Sequence, residues 1–192
     1  RHAILKRLAD ELGETVNLTM LDGSEVVYLD RVETEWPLRM TLQPGSHVPL
    51  HCTASGKLLL ALLPAARRRR IVAELPLPRY TDQTITDARA LDAELATIRR
   101  EGRATDNEEY LAGLVCVAVP VSAHDGRTVA CVAVHAPVAR MTLDRALAHV
   151  PSLQRAADAL GATFGARAPS RLNGKVAGRF SGFIQERTCL MA

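Results

Sequence analysis

The densest group of residues able to do chemistry is Pro49-Leu50-His51-Cys52-Thr53-Ala54-Ser55-Gly56-Lys57, which runs directly into Leu58-Leu59-Leu60-Ala61-Leu62-Leu63. A proline-bounded loop that enters an apolar run through Thr53, Ser55 and Gly56 predicts a loop-to-helix junction, because small polar side chains satisfy the first orphan N–H groups of a helix. Those N–H groups carry partial positive charge and welcome an anion, which makes the junction a candidate floor for a small-molecule site. It is not a nucleotide loop. A Walker-type sequence needs Gly five residues before its Gly-Lys pair and Ser or Thr straight after it, and His51 and Leu58 hold those places. His51 beside Cys52 raises a second chemistry, a thiolate activated by the helix start. Neighbours in sequence seldom align as nucleophile and base, and no Gly-x-Ser-x-Gly is present, so catalysis is the minor reading. The bland reading is an N-cap that meets only water.

The other reactive groups point to less. Cys52, Cys116, Cys131 and Cys189 show no Cys-x-x-Cys, and the histidines no His-x-His, so no zinc or other metal site is expected. Cys116 and Cys131 sit in apolar runs and read as small buried hydrophobes of a reduced compartment. Glu108 and Glu109 are adjacent and are not expected to converge on one substrate bond. Arg67-Arg68-Arg69-Arg70 would point four ways on a helix, a solvated face rather than a phosphate clamp.

These residues must be carried by one domain, since 192 residues bury ~70% of the unfolded surface in a single core. Hydrophobic residues make up 47% and charged ones 23%, and no run reaches the roughly 18 apolar residues of a membrane span, so no membrane partner and a cytoplasmic protein are expected. The net charge of +3 is misleading. Five basic residues and one acidic residue lie in 165–192, which leaves the remainder at −1, so the body lacks the basic face that binds DNA unaided.

Apolar spacing predicts a helix over 3–12 that stops at Gly13, then a hairpin from Thr15–Leu21 and Glu25–Val32 around Asp22-Gly23-Ser24. Leu38–Leu42 reads as a third strand and His47-Val48 as loop. Pro64 opens a helix over 65–75, Thr86-Asp87 caps another with Leu91, Leu95 and Ile98 inward, and Gly102 stops it. The acidic segment 104–113 reads as a loop. Leu114–Val121 and Thr128–Ala136 form a second, central hairpin, and Thr142 caps a closing helix divided near Pro151. Two hairpins with helices beside them imply an α+β antiparallel sheet.

Five blocks then resemble one family: Leu-Gly-Glu-Thr-Val-Asn-Leu (12–18), Asp-Gly-x-x-Val-Val-Tyr-Leu-Asp-Arg-Val (22–32), the 49–57 stretch, Asp-Asn-Glu-Glu-Tyr (106–110) and Gly-x-x-Cys-Val-Ala-Val-Pro-Val (113–121). In this order and spacing they are similar to the effector-binding domain of IclR-type transcriptional regulators, over about residues 1–164. The resemblance implies a GAF-like fold, a six-stranded antiparallel sheet flanked by helices. It implies a sensor that is not an enzyme and uses no cofactor, and that touches operator DNA only through an N-terminal winged helix-turn-helix not contained in this sequence. It also implies a homodimer or homotetramer. The expected organisation is a helix at 1–13 following the interdomain linker, the effector-binding domain at 14–164, and a basic tail at 165–192 with disorder-prone composition and no assigned role.

The resemblance implies a pocket as well. In a member responsive to glyoxylate and pyruvate, backbone N–H groups matching Ala54 and Ser55 hold the effector carboxylate. The polar wall matches Asp106, Cys116, Ala133 and His135, and the apolar lining matches Met40, Val48 and Leu114. Ala133 and His135 stand where that member has serines, so the same keto acid does not carry over. With His135 as donor or acceptor and Asp106 as acceptor, the expected effector is a small carboxylic acid with a second polar group. The alternative class is an assembly module with no effector.

Overall fold

The computed structural model describes residues 1–36 and 43–164. The strand expected at 38–42, Met40 and the tail 165–192 lie outside the described residues. Helix α1 (His2–Leu12) buries Leu5, Leu8 and Ala9 and stops at Gly13, whose φ of 68° favours a residue without a β-carbon. Strands β1 (Thr15–Asp22) and β2 (Glu25–Val32) form the first hairpin, and β3 (His47–Pro49) pairs antiparallel with β2. Helices α2 (Ala54–Leu62), α3 (Ala65–Glu74) and α4 (Ala88–Glu101) follow, then strands β4 (Ala104–Asn107), β5 (Leu114–Ser122) and β6 (Thr128–Pro137), and finally α5 (Leu143–Ala148) and α6 (Val150–Gly161). All pairings are antiparallel, in the order β3-β2-β1-β6-β5-β4.

Two readings of the sequence are corrected here. His47-Val48 is an edge strand rather than loop, and 104–107 opens the segment expected to be loop as the opposite edge strand. Both are short. Along β4 the burial nonetheless alternates, with Ala104 and Asp106 inward, and an inward carboxylate hides the period-2 signal that an apolar residue would have given.

Because side chains alternate along a strand and cross-strand partners share a face, the sheet has two distinct surfaces. One carries Val16, Leu18, Val117, Val119, Val121, Val132, Val134 and Ala136, packed against α1, α5 and α6. The other carries Val26, Tyr28, Val48, Cys116, Ala118, Cys131 and Ala133 beneath α2 and α4. Ala104, Ala118 and Ala133 form a transverse row of small side chains, through the β4–β5 register Ala104↔Ala118 and the β5–β6 register Ala118↔Ala133. Such a row lets a helix approach a sheet closely. Residues Ala54 to Ala61 of α2 are all buried, so this helix is core on every side.

Gly56 sets how near α2 lies to the preceding loop. A β-carbon there would stand 2.5 Å from the Leu50 carbonyl oxygen and 2.7 Å from that of Pro49, both backbone atoms that cannot swing aside. Gly56→Ala is expected to lower unfolding stability by about 1–3 kcal/mol, the usual cost of overpacking. Urea unfolding of the two proteins measures it, and an unchanged midpoint would show that the junction is loose.

Candidate functional site

The start of α2 lies against the more polar face of the sheet. Thr53 is the N-cap: its Oγ1 accepts from the Gly56 N–H at 3.1 Å and donates to the Pro49 carbonyl at 2.7 Å. The N–H groups of Ala54 and Ser55 precede any acceptor within the helix and are the anion-favouring end of α2. Facing them is one transverse row of the sheet. The pairings Thr15↔His135, His135↔Cys116 and Cys116↔Asp106 place these four residues side by side across β1, β6, β5 and β4. The adjoining row runs Arg31, Asn17, Ala133, Ala118, Ala104. Between the row and the helix start lies a cavity of about 20 Å³, room for about one water-sized group.

Seven of the nine residues expected from sequence meet at this cavity: Val48, Ala54, Ser55, Asp106, Leu114, Cys116 and His135. Ala133 does not line it. It is wholly buried beneath α2, one row away, where its small side chain serves packing. Met40 lies outside the described residues. Among the described residues Asn17, Tyr28, Thr53 and Tyr110 also line it, and none of the four was expected from sequence to do so. Asn17 could have been found, because it is the one amide in an otherwise apolar-alternating strand. Thr53 was legible as a cap but not as a wall.

Asp106 is 3% exposed, and its Oδ1 accepts from the N–H of Glu109 at 2.7 Å. Burial pushes its pKa up to about 7, the Glu109 carboxylate adds to the rise, and the bond from the Glu109 N–H opposes it. Nearby, Lys57 of α2 is 1% exposed and donates to Glu109 Oε1 at 2.5 Å and to Glu94 Oε1 at 3.1 Å. This ion pair ties α2, α4 and the β4–β5 loop together. Glu108, by contrast, turns away: its φ is 61° and its Oε2 accepts from the Gly113 N–H at 2.7 Å, so the two adjacent glutamates serve different ends. Thr81 and Thr84 donate to the carbonyls of Glu108 and Glu109, and the Tyr80 ring meets that of Tyr110 edge-on at 5.2 Å, binding the loop before α4 to the same turn.

His135 is 4% exposed, with Nδ1 3.2 Å from Asn17 Nδ2 and Nε2 3.1 Å from Arg31 Nη2. Burial, and then the Arg31 charge, hold its pKa down to about 3, so the ring is neutral at ordinary pH. Arg31 also donates to Asn17 Oδ1 at 3.0 Å and pairs with Glu33 at 3.2 Å. A β-bulge between Leu18 and Thr19 of β1 pairs Thr19 with Tyr28 and Leu18 with Asp30, so Tyr28 and Arg31 face the same side although three residues apart.

The thiolate reading fails on the same geometry. Burial pushes the Cys52 thiol up to about 12, with Asp106 and Glu109 adding to it, and His51 Nε2 donates to the Pro78 carbonyl rather than addressing the sulfur. No helix among the described residues is long and apolar enough to cross a membrane.

Comparison with known proteins agrees with this architecture. The family model for the bacterial transcriptional regulator IclR C-terminal domain matches residues 1–162. The probable transcriptional regulator SauR of Cupriavidus necator is 59% identical over 164 residues, 85% of this chain and 65% of that protein. The chain thus spans less than two thirds of this curated relative. The crystal structure of IclR from Thermotoga maritima superposes with a TM-score of 0.78 at 36% identity, over 83% of this chain and 65% of that one. The inducer-binding domain of the transcription factor PobR from Acinetobacter, a double mutant in complex with 3-hydroxybenzoic acid, superposes with a TM-score of 0.76 at 27% identity, over 83% and 94% respectively. The fold is thus the GAF-like α+β fold of the IclR C-terminal domain, and the relatives named are transcriptional regulators.

Lys57→Met would strand the Glu109 carboxylate in the interior and is expected to cost about 3–5 kcal/mol in chemical unfolding. Adding Glu109→Gln should recover part of that loss, and a double variant no better than the single would show that the pair is not coupled. For Asp106 the sign follows from linkage. With a folded pKa of about 7 against an ordinary 3.8, the native form holds the extra proton between those values, so stability declines as pH rises through that window. Asp106→Asn keeps an acceptor for the Glu109 N–H but cannot ionise. Its melting temperature relative to the wild type should therefore rise from pH 5 to pH 8, and a flat difference would place Asp106 among ordinary carboxylates.

Proposed function

This chain belongs to the IclR family of bacterial transcriptional regulators, and on that footing we propose that residues 1–164 sense a small carboxylic acid and pass its binding to a winged helix-turn-helix on their N-terminal side. The observation that carries this is the convergence on one cavity of a buried helix start, a buried acid of raised pKa and a neutral histidine. The N–H groups of Ala54 and Ser55 seat the carboxylate, Val48 and Leu114 close the apolar side, and Asp106 and His135 address the second polar group. The hydroxybenzoic acid named with the PobR domain is an acid of this kind. The body works as a homodimer or homotetramer, and operator DNA is met by the other domain.

The size of the cavity supports a coupling mechanism. About 20 Å³ does not hold an organic acid, so binding favours an arrangement in which the walls stand further apart. Tyr110 belongs to the turn after β4, and Asp106 accepts from it; that turn is tied through Lys57 to α2 and α4 and through Thr81 and Thr84 to the preceding loop. A ligand that prefers the wider arrangement shifts the population of whichever state the DNA-binding halves share with it.

A panel of small keto, hydroxy and aromatic acids tests the reading by thermal shift. An effector at ~100 times its dissociation constant should add ~2.7 kcal/mol. Ala54→Pro removes one N–H from the seat at a first helical position that proline fits, after an extended Thr53 with ψ 146°. The variant is expected to fold and to lose the stabilisation. A wild type indifferent to every acid would overturn the sensor reading.

A further inference from the structure

The group Arg31, Asn17 and His135 contains a donor too many. Arginine only donates, so the ring nitrogen facing it, His135 Nε2, must be the bare one, and the proton of the neutral ring sits on Nδ1. Nδ1–H then points at Asn17. Arg31 Nη1 donates to Asn17 Oδ1, which turns the amide nitrogen toward the ring, and two N–H groups face one another at 3.2 Å. Reversing the amide only moves the conflict, since Nδ2 would then face Arg31. Neither the Asn17 nor the His135 side chain has another hydrogen-bond partner among the described residues, and both residues are at least 96% buried. A donor left over in the interior is costly unless an acceptor reaches it. Both residues border the cavity, so an acceptor can come from there.

We propose that Asn17 and His135, held by Arg31, form a donor-only subsite that reads an acceptor oxygen, carbonyl or carboxylate, on the second polar group of the bound acid. Resting on the acid-sensing reading above, this narrows it. The histidine cannot accept from a hydroxyl or an ammonium group, because its only lone pair is taken by Arg31. Arg31 is a positioning residue: it does not line the cavity, and it acts by fixing which ring nitrogen carries the proton.

Propionate, β-alanine, malonate and pyruvate serve as probes, with affinity measured by calorimetry on the full chain. Malonate or pyruvate is expected to bind at least ~10-fold more tightly than propionate and β-alanine, the discrimination of one hydrogen bond to a buried donor that otherwise stays unpaired. In Arg31→Met the ring is free to shift its proton to Nε2, so that advantage should vanish while propionate affinity is kept. Nitrogen NMR of the wild-type histidines reads the tautomer directly and does not depend on the variant folding. A protonated Nδ1 on His135 is expected, and a protonated Nε2 would overturn the proposal. Equal binding of all four probes would overturn it and leave the acid sensor standing, whereas binding of none, propionate included, would remove the sensor reading and the subsite with it.

Discussion

Everything in this domain answers to the burial of α2. A helix covered on all sides cannot leave its polar groups to water, so each must find a partner in the interior. Thr53 closes the cap, the Lys57 ammonium is met by Glu109 and Glu94, and Gly56 lets the preceding loop lie against the first turn. What remains is the pair of N–H groups of Ala54 and Ser55, aimed at the sheet. The cavity exists because the helix starts inside the protein rather than at its surface.

Charge is distributed around that cavity with the two signs on opposite sides. Asp106 and Glu109 lie on the β4 side, with Lys57 between them and α2. Arg31 lies on the β2 side behind a histidine that is kept neutral. Burial dominates every shift seen here: it lifts the acids and the thiols, lowers the histidine, and leaves hydrogen-bond donors and acceptors, rather than full charges, to face a ligand. Such a site distinguishes molecules by where they accept and donate, which is the sharper form of discrimination in a dry interior.

The hairpins, the caps and the helix stops were legible in the residues because each rests on local chemistry. Asp22-Gly23-Ser24 turns the chain, Thr53, Asp87 and Thr142 accept from the N–H three residues on, and Gly13 and Gly102 take a left-handed φ. The edge strands were not legible. Strand β4 buries Asp106 where its pattern called for an apolar residue, and β3 is only three residues long, so each is defined by the neighbour it pairs with. Of the site, the junction at 49–57 was legible from its own residues, and the more distant walls followed from the family resemblance. Ala133 matched a pocket position by alignment, yet the register sets it one row back, under the helix.

By itself the sequence determined the helices, the two hairpins, the antiparallel class and the helix start on which an anion can sit, because these depend on neighbours a few residues away. Tertiary structure alone decided the composition of the row that faces that helix start. Thr15, His135, Cys116 and Asp106 come from four strands and meet only through register. A single bulge turns Arg31 to the same face as Tyr28, against the period-2 rule that would have set them apart. Protonation was likewise decided in three dimensions, since whether His135 donates or accepts depends on Arg31, 104 residues away along the chain.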